Sequence, residues 1–221
     1  MRTLGFPELV DVTDRAIVRK YVREAIVEKI IYRDLPRMVK IKDITVLESL
    51  LNIIVEEPGQ LFELDSLASD LKISRRTVSA YLSYLEQSFL VRKLYNFSTG
   101  RRKVERKLKK YYPTVASVDL LFRDDDLSRS RALEWLVVTQ LRAEFFWRDA
   151  RKNEVDVILP DGPTAIEVKY GRTDAPGLVA FAKKHKAAKL YVISSRETST
   201  RKMGGASVTV VPAYEFLLRK A

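Results

Sequence analysis

The chain has 221 residues, 46% of them hydrophobic, with 40 lysines and arginines against 29 aspartates and glutamates and a formal charge of +11. That apolar content suffices for real cores, in one large domain or two small ones, and the charge points to a polyanion partner, with nucleic acid ahead of an anionic membrane surface. With no cysteine and His185 as the single histidine, disulfides, thiolate zinc sites and histidine clusters are excluded, so any catalytic metal must sit on oxygen ligands, which favours magnesium or manganese.

No apolar run approaches the ~18 to 20 residues needed to span a bilayer, and the N-terminus lacks a signal-peptide core. A cytoplasmic protein with no membrane partner is expected. After a loop-like start, the spacing predicts a helix over 14–35, with an apolar stripe through Ile17, Tyr21, Ala25 and Ile31 that ends near Pro36. A second, strongly apolar helix begins near Asp43 and stops at Pro58-Gly59. A short helix with Leu64, Leu67, Ala68 and Leu71 follows, and then Ser74, a good N-cap. The next helix, over 75–87, places Val78, Tyr81, Leu82 and Leu85 inside and turns Arg75, Arg76, Thr77 and Ser79 outward. This is the pattern of a helix-turn-helix with a basic, hydroxyl-rich second helix.

Residues 89–95 read as a strand, 96–100 as a turn and 101–112 as the return, completing a winged helix. The wing carries Arg101, Arg102, Lys103, Arg106, Lys107, Lys109 and Lys110, a density suited to tracking phosphates. Such helices also dock proteins, and basic wings are sometimes only solvated. Asp124-Asp125-Asp126 punctuates the chain before a helix over 130–144 with Glu134 and Trp135 early in it. Three strands follow, over 145–148, 154–159 and 165–170, then a helix with Leu178 and Phe181, buried strands over 190–193 and 208–211, and a final helix over 214–219. The segment 196–205 is polar and predicted as a loop. Tyr81, Trp135 and Trp147 fit core positions, and His185 the surface of a helix. The expected fold is α/β (α+β) in three parts: a helical base over 1–58, a winged helix-turn-helix over 59–123 and a mixed-sheet α/β domain over 124–221.

The strands over 154–159 and 165–170 flank Pro160-Asp161-Gly162-Pro163, strong turn chemistry, and form a hairpin carrying Asp156, Glu167 and Lys169. Glu167 and Lys169, two apart, share a strand face. Two carboxylates and an ammonium on one sheet of a basic protein suit a divalent metal and a phosphodiester; the alternative is a surface ion cluster.

That order of elements, with an acid on the first helix, an acid on the second strand and Glu-x-Lys on the third, is similar to the core of the PD-(D/E)XK phosphodiesterases. The resemblance makes the last domain nuclease-like and matches Glu134 to the helix acid, Asp156 to the strand acid, and Glu167 and Lys169 to the Glu-x-Lys pair. It implies Mg2+ or Mn2+ on Asp156 and Glu167, Lys169 orienting or deprotonating the attacking water, and Glu134 as an outer, water-mediated ligand.

A second resemblance covers nearly the whole chain. Gly5-Phe6-Pro7-Glu8, Tyr32-Arg33-Asp34, Ile73-Ser74-Arg75-Arg76-Thr77-Val78, Phe146-Trp147-Arg148, Glu154-Val155-Asp156 and Ile166-Glu167-Val168-Lys169 look like the C-terminal half of a family of archaeal and bacterial AAA-superfamily ATPases. The chain has no Gly-x-x-x-x-Gly-Lys-Ser/Thr loop. It is therefore expected to be a C-terminal fragment or a reduced relative, with DNA and an ATPase module or a second copy of itself as partners. Three functional readings stay open: a magnesium-dependent DNA endonuclease, a non-catalytic DNA-binding and regulatory module of an ATPase, and a protein-docking module.

Overall fold

The computed structural model describes residues 6–9, 11–100, 102, 104, 108–115, 125–159, 164–171, 173–185 and 189–218. The chain divides into two units, Met1–Lys93 with Tyr111–Asp124 and Leu94–Lys110 with Asp125–Ala221. No described helix is long and apolar enough to cross a membrane.

In the first unit, α1 (Arg15–Tyr21) is capped by Asp14, whose carboxylate accepts the Ala16 N–H at 2.8 Å. It continues through wide turns over Val22–Val27 and Lys29–Asp34, in which Leu35 N–H reaches back five residues to Ile30, and closes as α2 (Leu35–Met38). Pro36 therefore lies within the helix instead of ending it, near the start of a new turn where a missing N–H is tolerated. The buried side chains are Val18, Val22, Ile31 and Leu35, one position off the expected stripe in its first half, and Ile17 is 53% exposed.

α3 (Ile44–Glu56) starts at Asp43, which accepts the N–H groups of Thr45 and Val46. α4 (Leu64–Asp70) and α5 (Arg75–Gln87) are joined by a short turn in which Lys72 takes a positive φ of 54° and Ser74 accepts the Thr77 N–H at 3.1 Å. α5 buries Val78, Tyr81, Leu82 and Leu85 against Leu47, Leu50, Leu51 and Ile54 of α3 and Leu67 of α4 in one core. The Tyr81 hydroxyl accepts the Asp43 N–H at 3.0 Å, so the one polar atom that this ring carries inward is satisfied.

β1 (Leu61–Phe62), β2 (Val91–Asn96) and β3 (Lys109–Pro113) come next, and β2 and β3 each begin in one unit and end in the other. Arg102 and Val104 are helical, and β3 begins at Lys109. In the second unit, the end of β2 pairs in parallel with β4 (Phe145–Arg148), Tyr95 opposite Phe145 and Asn96 opposite Phe146. Asn96, expected at a wing tip, is instead buried, exchanging hydrogen bonds with the main chain of Arg148.

The rest of the second unit is α6 (Asp126–Gln140), capped by Asp125; β5 (Glu154–Leu159); β6 (Thr164–Val168); α7 (Pro176–His185); β7 (Lys189–Ser194); β8 (Ser199–Met203); β9 (Ala206–Pro212); and α8 (Ala213–Leu218). The fold class is α+β, with a mixed sheet of nine described strands ordered β1-β3-β2-β4-β5-β6-β7-β9-β8. β8 corrects the expectation of a loop over 196–205: its residues are polar because they form an edge strand, antiparallel to β9. Leu178 and Phe181 of α7 pack on Val155, Ile158, Ala165, Val192 and Val210 of the sheet. His185 stacks on Phe181 at 4.7 Å and meets Trp147 edge-on, so it belongs to this packing and not to an open surface.

Candidate functional site

β5 carries an irregularity that decides where its acids go. Phe145 pairs with Ile158 and Trp147 with Val155, so one residue of β4 faces two of β5, Asp156 and Val157. This is a β-bulge, a device that re-aims side chains. On the other side, β5 and β6 are paired from Leu159–Thr164 to Val157–Ile166. Beyond that point the Asp156 carboxylate substitutes for a main-chain carbonyl, its Oδ2 accepting the Val168 N–H at 2.7 Å.

Around the bulge, side chains from four elements converge within the second unit. Glu154 and Asp156 come from β5, Glu167 from β6 with Lys169 just beyond it, Glu134 from α6, and Lys110 from β3. Lys169 Nζ lies 2.8 Å from Glu167 Oε1. Lys110 Nζ lies 2.6 Å from Glu154 Oε1, 2.9 Å from Glu134 Oε1 and 3.7 Å from Asp156 Oδ1, with its side chain only 4% exposed. Arg148, opposite Glu154 across the β4–β5 pair, binds the second Glu154 oxygen. The second oxygen of Glu167, Oε2, is buried and has no hydrogen-bond partner among the described residues.

Among the described residues, four carboxylates (Glu134, Glu154, Asp156, Glu167) thus meet the three cations Lys110, Arg148 and Lys169. Burial sets how each acid responds. Burial, then the Glu134 and Glu167 carboxylates, push the Asp156 carboxyl well above its ordinary value, against the pull of Lys110. Burial raises Glu167 too, and Lys169 offsets only part of it. For Glu154 burial also acts upward, but Lys110 and Arg148 outweigh it and the carboxyl sits below its ordinary range. Burial acts downward on Lys169, yet Glu167 outweighs it and holds the ammonium form above its usual value.

The donor set fits a small hard cation. Asp156 and Glu167 supply carboxylate oxygens, and one of them, Glu167 Oε2, is buried without a hydrogen-bond partner among the described residues. Among the described residues no three acid or imidazole side chains are grouped to enclose a metal. An ion here would take these two carboxylates and complete its shell with water and substrate oxygens, as magnesium usually does.

The structure brings together all of Glu134, Asp156, Glu167 and Lys169. Glu134 also takes a protein partner in Lys110, at 2.9 Å. Lys110 itself, expected in a phosphate-tracking run, is buried and ion-paired. Sequence reasoning missed Lys110, Glu154 and Arg148; the last two follow from strand register, whereas nothing in the basic run singles out Lys110. In the first unit Arg75, Arg76 and Ser79 are exposed and Thr77 is half-buried, with Arg75 bonded to Asp65 at 3.1 Å. Lys72, Arg75 and Arg76 are matched there by Glu63, Asp65, Asp70 and Glu86, so the helix pair alone is not a basic patch. Arg102 is exposed, and Arg101, Lys103 and Arg106 lie outside the described residues.

Comparison with known proteins assigns no activity. Residues 5–114 match DUF8612 and residues 132–216 match DUF4143, both domains of unknown function. Glu134, Glu154, Asp156, Glu167 and Lys169 lie within the second match and Lys110 within the first. The chain is 28% identical over 179 residues to the uncharacterized protein MJ1544 of Methanocaldococcus jannaschii, covering 75% of this chain and 40% of that protein. It therefore spans less than half the length of that relative. No solved structure matches the chain.

Proposed function

We propose that the chain is a cytoplasmic DNA-binding module whose second unit hydrolyses phosphodiesters with Mg2+ or Mn2+ held by Asp156 and Glu167. The observation that carries this reading is the buried, partnerless Oε2 of Glu167 beside Asp156, with Lys169 fixed on the other oxygen. When bound, the cation would polarise the phosphate and supply a water of lowered pKa. Asp156 and Glu167 orient that ion, and the main-chain N–H of Val168 fixes Asp156 in turn. Lys169, whose ammonium form Glu167 favours against the effect of burial, donates to the water or the phosphate and offsets developing negative charge.

DNA contact rests on the charge of +11 and on the exposed Arg75, Arg76 and Ser79 at the start of α5, with Thr77, Arg101, Arg102, Lys103 and Arg106 as further contacts. The DUF4143 match supports an ATPase as partner, because that domain is common in ATPase-associated proteins. Incubation of supercoiled, linear and branched DNA with the chain and MgCl2 tests the proposal. Cleavage is expected, lost on adding EDTA and in Glu167→Gln and Lys169→Ala, while gel shifts persist in both variants. Absence of cleavage of every DNA form would overturn it.

One observation favours the second reading, a non-catalytic DNA-binding half of an ATPase system: Lys110 already places a positive charge among the carboxylates. That reading expects DNA binding without cleavage and no effect of Mg2+ on the melting temperature.

A further inference from the structure

In the metal-binding reading above, on which this inference rests, the carboxylates gathered around the bulge outnumber the roughly one or two that a magnesium-like ion usually takes from protein. Glu154 is held at both oxygens, by Lys110 on one side and Arg148 on the other. Glu134 meets the same ammonium. Lys110 reaches them on β3, an element that carries none of these acids, and its side chain lies over the Phe146 ring at 5.6 Å with almost no access to water. A buried ammonium with carboxylates at 2.6 and 2.9 Å is fixed in place, since leaving would strand charges of both signs.

We propose that Lys110 is a built-in cation that keeps Glu134 and Glu154 out of the metal shell, restricting the site to one loosely held divalent ion on Asp156 and Glu167. Its Nζ lies 3.7 Å from Asp156 Oδ1, close enough for its charge to oppose a dication bound there. Lys110 is thus a positioning residue: it fixes two acids and lowers the affinity that the other two offer. A chain without it would gain both a stronger local negative potential and a third candidate ligand.

The test is a Mn2+ titration of the full chain, without DNA, followed by the electron paramagnetic resonance of free Mn2+. The wild type should bind one ion, lost in Glu167→Gln. Lys110→Gln should bind at least tenfold more tightly, and Glu154→Gln, which leaves the ammonium to Glu134 and Asp156, at least threefold more weakly. Glu154→Gln decides the matter should Lys110→Gln not fold. A folded Lys110→Gln with unchanged or weaker Mn2+ binding, or a Glu154→Gln with unchanged binding, would overturn the proposal. Binding only after Lys110→Gln would uphold Lys110 as the site's cation and refute a metal-dependent wild type. No binding to any of the chains would refute both.

Discussion

Asp156 Oδ2 accepts the main-chain N–H of Val168 at 2.7 Å, so a side chain of β5 completes the ladder that its own backbone, bulged at this point, leaves open. The same carboxylate is therefore both a structural acceptor and a candidate ligand, and substitutions can separate the two roles. Asp156→Asn keeps an acceptor and should retain most of the stability while losing Mn2+ binding. Asp156→Ala leaves a buried N–H unsatisfied and should cost about 1–3 kcal/mol in urea unfolding.

The pH dependence of stability follows from the direction of the shifts. Asp156 and Glu167 are both raised above their ordinary values of 3.8 and 4.5, so the folded state binds these protons more tightly than the unfolded one. Their contribution is fully present below those ordinary values and is lost as the pH rises through the folded ones. In metal-free buffer, Asp156→Asn should gain stability relative to wild type as the pH increases from about 4, by at most ~1.4 kcal/mol per pH unit. Denaturant melts in EDTA check this; a difference that is flat with pH would contradict it.

Gly177 opens α7 against the main chain of Glu154, and a Cβ placed there would meet the Glu154 carbonyl oxygen at 1.7 Å. Backbone cannot yield as a flexible side chain would. Gly177→Ala should therefore destabilise by about 1–3 kcal/mol or more and disturb the strand that carries Glu154 and Asp156. Thermal melting and Mn2+ titration should both register it, although Gly177 itself carries no chemistry.

In the first unit, Arg75 is engaged with Asp65, whereas Arg76 is exposed on the same turn of α5. If α5 contacts DNA through its first turn, Arg76→Ala should lower the salt slope of binding by ~0.9 for a lost phosphate contact, with Arg75→Ala having less effect. Fluorescence anisotropy at several salt concentrations measures both slopes.

Much of the second unit was legible because its strands alternate or run apolar and its turns are strongly marked: β4 and β5 fall where 145–148 and 154–159 were expected. α5 was legible for the same reason, its buried face repeating at helical spacing. Three features were not. Along α1, Ile17 with Tyr21 and Val18 with Val22 form neighbouring apolar stripes, and only packing selects the second. β8 is an edge strand whose polar residues look like a loop. Lys110 is one base in a dense run, 24 residues ahead of Glu134, and its pairing arises from where β3 lies, which local pattern does not encode. The Glu-x-Lys motif identified the candidate site, but its charge balance depends on residues outside the motif.

The central claim, that Asp156 and Glu167 hold a divalent cation, is tested most directly by crystals of the full chain grown in MnCl2 and measured at the manganese edge. The account predicts one anomalous peak in the second unit, at roughly 2.0–2.3 Å from Asp156 Oδ1 and Glu167 Oε2, with Lys110 still paired to Glu134 and Glu154. No peak there, or one whose ligands are Glu134 and Glu154, would contradict it.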